Sequence, residues 1–439
     1  MAIAEDPSTT RTTRFWHPFA DMGAVSRSEF MIVRGEGVHV FDAEGRRYLD
    51  GTASLWYSNL GYGRREVHEA VAAQMAKIEA YSTFGDFGNE PANALAARLA
   101  ERAPMEDARV FFGSGGGDAI DTAAKIARRH WILRGQPERV HIISRTNGYH
   151  GTHGFGTSIG GIEANVANWG PLIPQTSAVA HDSLPALEQE ILRVGPERVA
   201  AFVCEPVIGA GGVYPPAEGY IDGVGDLCAE HGILLIVDSV ICAFGRLGTW
   251  FGIERWPEVR PDLITFAKGV TSGYLPLGGV VVAGHVAAPF FEAPGGPMLR
   301  HGATYAGHPT CCAAGLAELD IYEAEGTIER GRELEGPLTE ALAPLTDHPA
   351  VAEVRSGTGL LGAVALTEDA LAADPAAVAK LAAGAREAGV LVRPLLGAVA
   401  LSPPLVVERE HLEELAEGIR VGLDRIDGVA PLPDARSGL

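Results

Sequence analysis

The stretch Asp262-Leu-Ile-Thr-Phe-Ala-Lys268-Gly269 runs from an apolar segment into a lysine and a glycine. It reads as a buried strand that stops at a turn and delivers a primary amine to the rim of a sheet. Lys77, Lys125 and Lys380 are the other lysines of the 439-residue chain, and they fall in Ala- and Glu-rich stretches of helical spacing. A lysine there sits on a wet face, so Lys268 is the chemically distinctive one. Working outward, Gly232-Ile-Leu-Leu-Ile-Val-Asp238 is a second apolar run closed by a charge. Further short apolar strands are expected at 109–112, 140–144, 200–204 and 278–283. Helical stretches at 65–80, 90–102, 117–134, 185–194 and 218–231 alternate with them. Buried strands alternating with helices predict an α/β fold, a mostly parallel sheet wrapped on both faces. Residues 30–50 read as short antiparallel strands. Beyond the loop Thr346-Asp-His-Pro349 the pattern becomes a smaller α+β unit, with strands near 351–366, 390–393 and 398–401 and a last helix near 409–425.

Composition narrows the function classes. A 46% apolar chain of this length has material for a large core and two domains. Its net charge of −21 argues against nucleic acid or an anionic membrane as partner. Five irregularly spaced cysteines make no disulfide framework and no zinc spacing, and no apolar leader or uninterrupted span stands out. A cytoplasmic enzyme is the expectation.

Strand ends supply the candidate site, because ligand groups gather there in such sheets. Lys268 can form an imine with an aldehyde, the entry to pyridoxal phosphate (PLP) chemistry. Asp238 can pair a protonated pyridine nitrogen, or simply cap the next segment. Gly113-Ser-Gly-Gly-Gly-Asp118 leads into a helix, and glycines at a helix N-terminus make a phosphate cradle or a plain flexible loop. Tyr149 can stack on a planar ring. His150 and His153 suggest a metal pair without a third ligand, so no metal is expected. Thr304 lies in a Gly-rich segment and can serve a phosphate. Arg393 interrupts the apolar Val390-Leu-Val-Arg-Pro394, a carboxylate clamp or an edge-strand charge.

Together these segments resemble the class III (subgroup II) aminotransferases of PLP fold type I, over about Trp16 to Leu405. Val237-Asp-Ser-Val-Ile-Cys-Ala-Phe-Gly-Arg-Leu-Gly-Thr-Trp-Phe-Gly252 is similar to the family's Asp-bearing signature. Phe266-Ala-Lys-Gly269 resembles its lysine segment, and His301-Gly-Ala-Thr-Tyr-Ala-Gly-His-Pro309 its phosphate segment from the neighbouring subunit. The resemblance implies a seven-stranded, mostly parallel large domain over 66–320. Residues 1–65 and 321–439 would form the small one. Lys268 becomes the catalytic lysine, and Asp238 the partner of the ring nitrogen. Val240 and Tyr149 would sandwich the ring, and Gly115, Gly116 and Gly117 would hold the phosphate. Glu205 joins the cofactor set, and Thr304 reaches the phosphate of a partner in a homodimer with shared sites.

Ala210, in Glu205-Pro-Val-Ile-Gly-Ala-Gly-Gly-Val213, replaces a glutamate of the ornithine and 4-aminobutyrate enzymes. This form is similar to pyruvate-dependent ω-transaminases, in which Trp56 would line the amine pocket and Arg393 bind the keto acid. The implied activity is transfer of an amino group from an amine or amino acid donor to a keto acid. The alternatives are an aminomutase or racemase of the same family, and a non-catalytic PLP-fold scaffold. Two departures stand out: three glycines replace the family's Ser-Gly-Ser cradle, and Ser239 replaces an acid.

Overall fold

The computed structural model describes residues 13–27, 29–292 and 294–427. Three strands, β1 (Ile32–Glu36), β2 (His39–Asp42) and β3 (Arg47–Asp50), form an antiparallel meander near the N-terminus. The central sheet follows: β4 (Arg109–Gly113), β5 (His141–Arg145), β6 (Thr176–Val179), β7 (Val199–Cys204), β8 (Leu234–Asp238), β9 (Leu263–Phe266) and β10 (Gly278–Val282). Their spatial order is β4-β10-β9-β8-β7-β5-β6. Pairing is parallel from β9 through β8, β7 and β5 to β6. Only β10 runs against its neighbours β9 and β4. The connection from Phe266 to Gly278 is too short for the crossover helix that a parallel neighbour needs. Lys268 sits in that connection.

Alternating side chains feed two cores, as the period of 2 requires. Ile142, Val203, Ile236 and Leu263 face the helix Gly116–Leu133, through Ala119, Ile120, Ala123 and Ala127. Ile143, Phe202, Val237 and Ile264 face the other way. There they meet the helices Glu90–Arg102, Tyr220–Glu230 and Pro309–Glu325. Each fully buried aliphatic side chain contributes about 1.5–3 kcal/mol, so burial on both faces explains why these strands are mostly apolar. The edge strand β6 escaped the sequence reading. It is four residues long and mostly half-buried, so its apolar signal is weak.

The C-terminal part holds β11 (Val351–Arg355), β12 (Gly362–Leu366), β13 (Val390–Leu391), β14 (Arg393–Leu395) and β15 (Ala398–Leu401). Four of them make an antiparallel sheet ordered β11-β12-β15-β14. β13 instead pairs in parallel with β3, which joins the two ends of the chain in one sheet. The helices Ala377–Glu387 and Arg409–Leu423 cover this part. The second of them starts with a capping box between Glu408 and His411.

One side chain ties these parts together. Arg246 is fully buried, and burial drives its guanidinium down to about 10. It donates to the carbonyls of Leu360 (3.0 Å) and Pro403 (2.6 Å) and to Asn59 Oδ1 (2.9 Å). Three distant segments thus meet on one cation. Arg246→Ala leaves buried acceptors unpaired and opens a cavity, an expected loss of about 3–5 kcal/mol. A denaturant midpoint compared with that of the exposed Arg47→Ala checks this.

Candidate active site

Four parallel strands end at the same edge of the sheet and place the site there. From β8 comes Asp238, and from just beyond β9 comes Lys268. Tyr149 and His150 follow β5, and Glu205 follows β7. With Gly116, Gly117 and Val240 they line a cavity of about 240 Å³.

Lys268 opens a short 3₁₀ turn, Lys268–Val270, with φ +50°. That left-handed backbone is costly for a residue with a Cβ, so the surroundings must impose it. Burial pulls the amine below its ordinary range, while Asp238 and Glu205 pull it back up. A lowered lysine has more of the uncharged, nucleophilic form at neutral pH.

Three protein groups hold the Asp238 carboxylate and leave Oδ2 room for one more donor. Oδ2 meets His150 Nδ1 at 2.8 Å, and Oδ1 accepts from Thr265 Oγ1 at 3.0 Å and from the Val240 amide at 3.2 Å. His150 is the site residue that sequence reasoning missed. Its pairing with His153 suggested a metal, yet the two rings turn to different carboxylates, His153 to Asp118 at 3.3 Å. The usable signal was its place beside Tyr149 at a strand end.

Glu205 is buried and accepts from the amides of Tyr149 (3.0 Å) and Gly209 (2.9 Å). Burial pushes its carboxyl up, against those two hydrogen bonds and the nearby His150. It therefore fixes where Tyr149 leaves β5. Tyr149 is half-buried, and burial raises its phenol.

The glycine loop works by close approach. A Cβ on Gly116 would lie 2.9 Å from Val240 Cγ1, and one on Gly117 would lie 3.3 Å from the His153 ring. Ser114 donates its amide to Asp118 Oδ2 at 2.9 Å, which closes the turn before the helix. The free amides of the first helical turn point out at its N-terminus, a seat for an anion. Gly115 lies outside the cavity lining and backs onto Gly278, whose Cβ would sit 2.8 Å from the Gly115 carbonyl.

Three further predicted residues stand away from the cavity of this chain. Thr304 is exposed in the loop before the helix Pro309–Glu325. Trp56, at φ +67°, is buried among Val207, Ile241, Leu361 and Ala400. Its loop is pinned by Asp50, which accepts from the Thr52 and Ser54 amides and the Tyr62 hydroxyl. Arg393, on β14, has a buried Nε without an acceptor, and no carboxylate pairs with it among the described residues. Burial lowers its guanidinium and the Tyr149 phenol offsets this, so it faces the site electrostatically. Ser239 donates to the Phe251 carbonyl at 2.6 Å and is fully buried, apart from the cavity lining.

These groups suit PLP: a lowered amine, a carboxylate held by three donors, and a cradle in which a Cβ on Gly116 would collide with Val240. The sequence profile described as "Aminotransferase class-III" matches residues 22–423, and the chain belongs to that family. It is a PLP-dependent aminotransferase. Putrescine–pyruvate aminotransferase of Pseudomonas aeruginosa is 35% identical over 95% of this chain and 97% of its own length. An amine transaminase from an uncultivated Pseudomonas species, solved in its PLP-bound form, is 37% identical. It superposes with a TM-score of 0.89 over 95% of this chain and all of its own. A thermostable (S)-enantioselective omega-transaminase from Thermomicrobium roseum is 39% identical, with a TM-score of 0.88 over 93% of this chain and 96% of that one.

The glycine contacts set an order of effects. Gly116→Ala must displace Val240, so PLP uptake is expected to weaken about tenfold, the cost of roughly one lost or strained contact. Gly117→Ala meets a movable ring and should weaken it less. Absorbance titration of the apoprotein ranks the two.

Proposed function

We propose that the chain moves an amino group from a primary amine lacking a carboxylate beside the reacting carbon to a small 2-oxo acid such as pyruvate. The donor becomes a ketone or aldehyde and the oxo acid becomes an amino acid, with the two taking turns in the same site. PLP, when bound, supplies the electron sink that lets the donor's carbon–hydrogen bond break. Lys268 Nζ takes the proton from the donor's amine-bearing carbon and, in the second half, returns one to the acceptor's carbon. Its lowered amine suits that exchange near neutral pH. Asp238, held by His150 and Thr265, presents its carboxylate at the cavity wall. Glu205 orients the Tyr149 backbone, and the Gly116–Gly117 amides receive the phosphate. Arg393 takes the acceptor's carboxylate.

The observation that carries the substrate reading is Arg393. Its buried Nε lacks an acceptor, and the family resemblance puts Ala210 where the ornithine and 4-aminobutyrate enzymes carry a glutamate. A cation kept without a carboxylate partner favours an anionic substrate. The putrescine–pyruvate and amine transaminases among its relatives support an ω-amine donor and a pyruvate-like acceptor. A homodimer with shared sites is part of the proposal. Thr304 is exposed beside Tyr305, and Tyr81, Phe84 and Phe87 leave further aromatic surface uncovered. Such a surface favours an interface.

Lys268→Ala is expected to lose steady-state transamination by at least about a thousandfold while keeping a wild-type melting curve; turnover near wild type overturns the reading. Arg393→Ala should raise the KM for pyruvate about a hundredfold, the worth of a bidentate pair. The half-reaction with a carboxylate-free amine should hardly change, as single-turnover absorbance will show. An equal loss in both half-reactions overturns the role of Arg393.

A further inference from the structure

Behind the lysine turn, away from the cavity, lies a second set of buried polar groups. Glu318, in the middle of the helix Pro309–Glu325, is fully buried, and its Oε1 has no partner. Ser272 Oγ lies 2.7 Å from Glu318 Oε2 and 3.3 Å from Tyr322 Oη. The Leu60 amide donates to Ser272 Oγ at 3.2 Å. Tyr322 donates to the carbonyl of Gly269, the residue after Lys268, at 2.9 Å. Asn59 closes the top, since a Cβ on Gly269 would meet its Nδ2 at 2.5 Å. The turn held in this way carries two left-handed residues at its ends, Lys268 at φ +50° and Ser272 at φ +42°. Neither is a glycine, so the conformation persists only if its surroundings over-determine it.

We propose that Glu318, in its acid form, is a positioning residue for Lys268: through Ser272 and Tyr322 it locks the Gly269 carbonyl and with it the left-handed backbone that aims the amine into the cavity. The proposal rests on the assignment of Lys268 as the PLP-binding lysine. Hydrogen-bond polarity explains the need for the acid form. With Glu318 ionised, Ser272 donates to Oε2; a proton on Oε2 reverses that bond, and Ser272 then donates to Tyr322 and Tyr322 to Gly269, so that every hydroxyl points one way. An ionised Glu318 draws the Ser272 proton toward itself, and Tyr322 loses its donor.

Burial pushes the Glu318 carboxyl up to about 8, so neutral pH keeps it protonated. The charged groups around it do not reverse this. The Ser272 hydrogen bond and then Arg64 lower it, Glu66 raises it, and on its own helix it faces the Tyr322 phenol. Tyr274, on the lysine-turn side, is a neutral phenol, raised by its own burial. The helix Glu90–Arg102 turns Arg98 and Arg102 away, to Asp320 and Glu323. Between the ordinary carboxylate range and about 8 the folded chain holds a proton that the unfolded chain has released. Stability therefore falls as pH rises through that window.

The test follows the rate at which apoprotein Lys268 becomes trapped by borohydride after PLP is added, from about pH 6 to about pH 9, alongside melting temperatures. Glu318→Gln keeps a neutral donor. It should match wild type at low pH, and its rate relative to wild type should climb severalfold as pH passes about 8. Glu318→Leu and Tyr322→Phe should slow trapping about tenfold below about pH 8, and Glu318→Leu should converge on wild type above it. Ser272→Ala breaks the same chain with a smaller change if Glu318→Leu does not fold. A flat Glu318→Gln to wild-type ratio, with only melting temperatures shifted, means a merely structural role and overturns the proposal. So does wild-type trapping in Glu318→Leu below about pH 8. Wild-type protein that never traps overturns the assignment of Lys268 itself, and this proposal with it.

Discussion

Burial drives the Lys268 amine toward its uncharged form, while Asp238 and Glu205 hold it back. Most of the site can be understood as the means of keeping that balance. Two carboxylates cannot sit beside one amine in a low-dielectric wall unless their other lone pairs are occupied. His150, Thr265 and the Val240 amide do this for Asp238, and the Tyr149 and Gly209 amides for Glu205. These donors come from different strands, so a parallel sheet whose strands end together is what makes the arrangement possible. The antiparallel turn of β10 belongs to the same logic. Reversing direction directly after Phe266 leaves the lysine on a tight, strained turn at the sheet edge rather than at the start of a crossover helix.

Polar groups buried away from the site give the fold its unity. Arg246 gathers carbonyls from two C-terminal segments and the amide oxygen of Asn59. Asn59 in turn donates to the Phe244 carbonyl and covers Gly269. Its neighbour Leu60 donates to Ser272, so the N-terminal segment touches the lysine turn at two points. A chain of this kind costs desolvation energy that its hydrogen bonds offset, although Arg246 Nε stays without a partner. The β3–β13 pairing adds a backbone link between the same distant regions and carries β14, hence Arg393, to its place.

Much of this was legible in the sequence, for reasons that differ by residue. Strands β7, β8 and β9 are buried on both faces, so they are largely apolar runs, with Thr265 and the terminal Asp238 as exceptions. The helix Glu90–Arg102 shows its Asn89 cap and its apolar stripe. Lys268, Asp238, Tyr149 and the glycine loop stood out because chemistry-bearing residues ended those runs. His150 did not, because a histidine that serves as a carboxylate's partner looks the same in sequence as a metal ligand. Edge strand β6 was lost for want of buried side chains. Glu318 was invisible for a related reason: in a one-dimensional reading, a glutamate in a helix is simply a wet helix residue.

The sequence by itself determined the α/β architecture, the order of the strands along the chain and the lysine, aspartate and glycine loop that stand at the strand ends. Local signals suffice for these, since apolar periodicity and turn residues act over a few neighbours. Tertiary structure alone decided which strand runs backwards and that His150 holds Asp238. It also decided that Arg393 keeps no carboxylate partner among the described residues, and that Glu318 is enclosed behind the lysine turn. Each of these depends on contacts between segments tens to hundreds of residues apart, and on burial, which sets the charge state of an acid or a base only once the chain has closed around it.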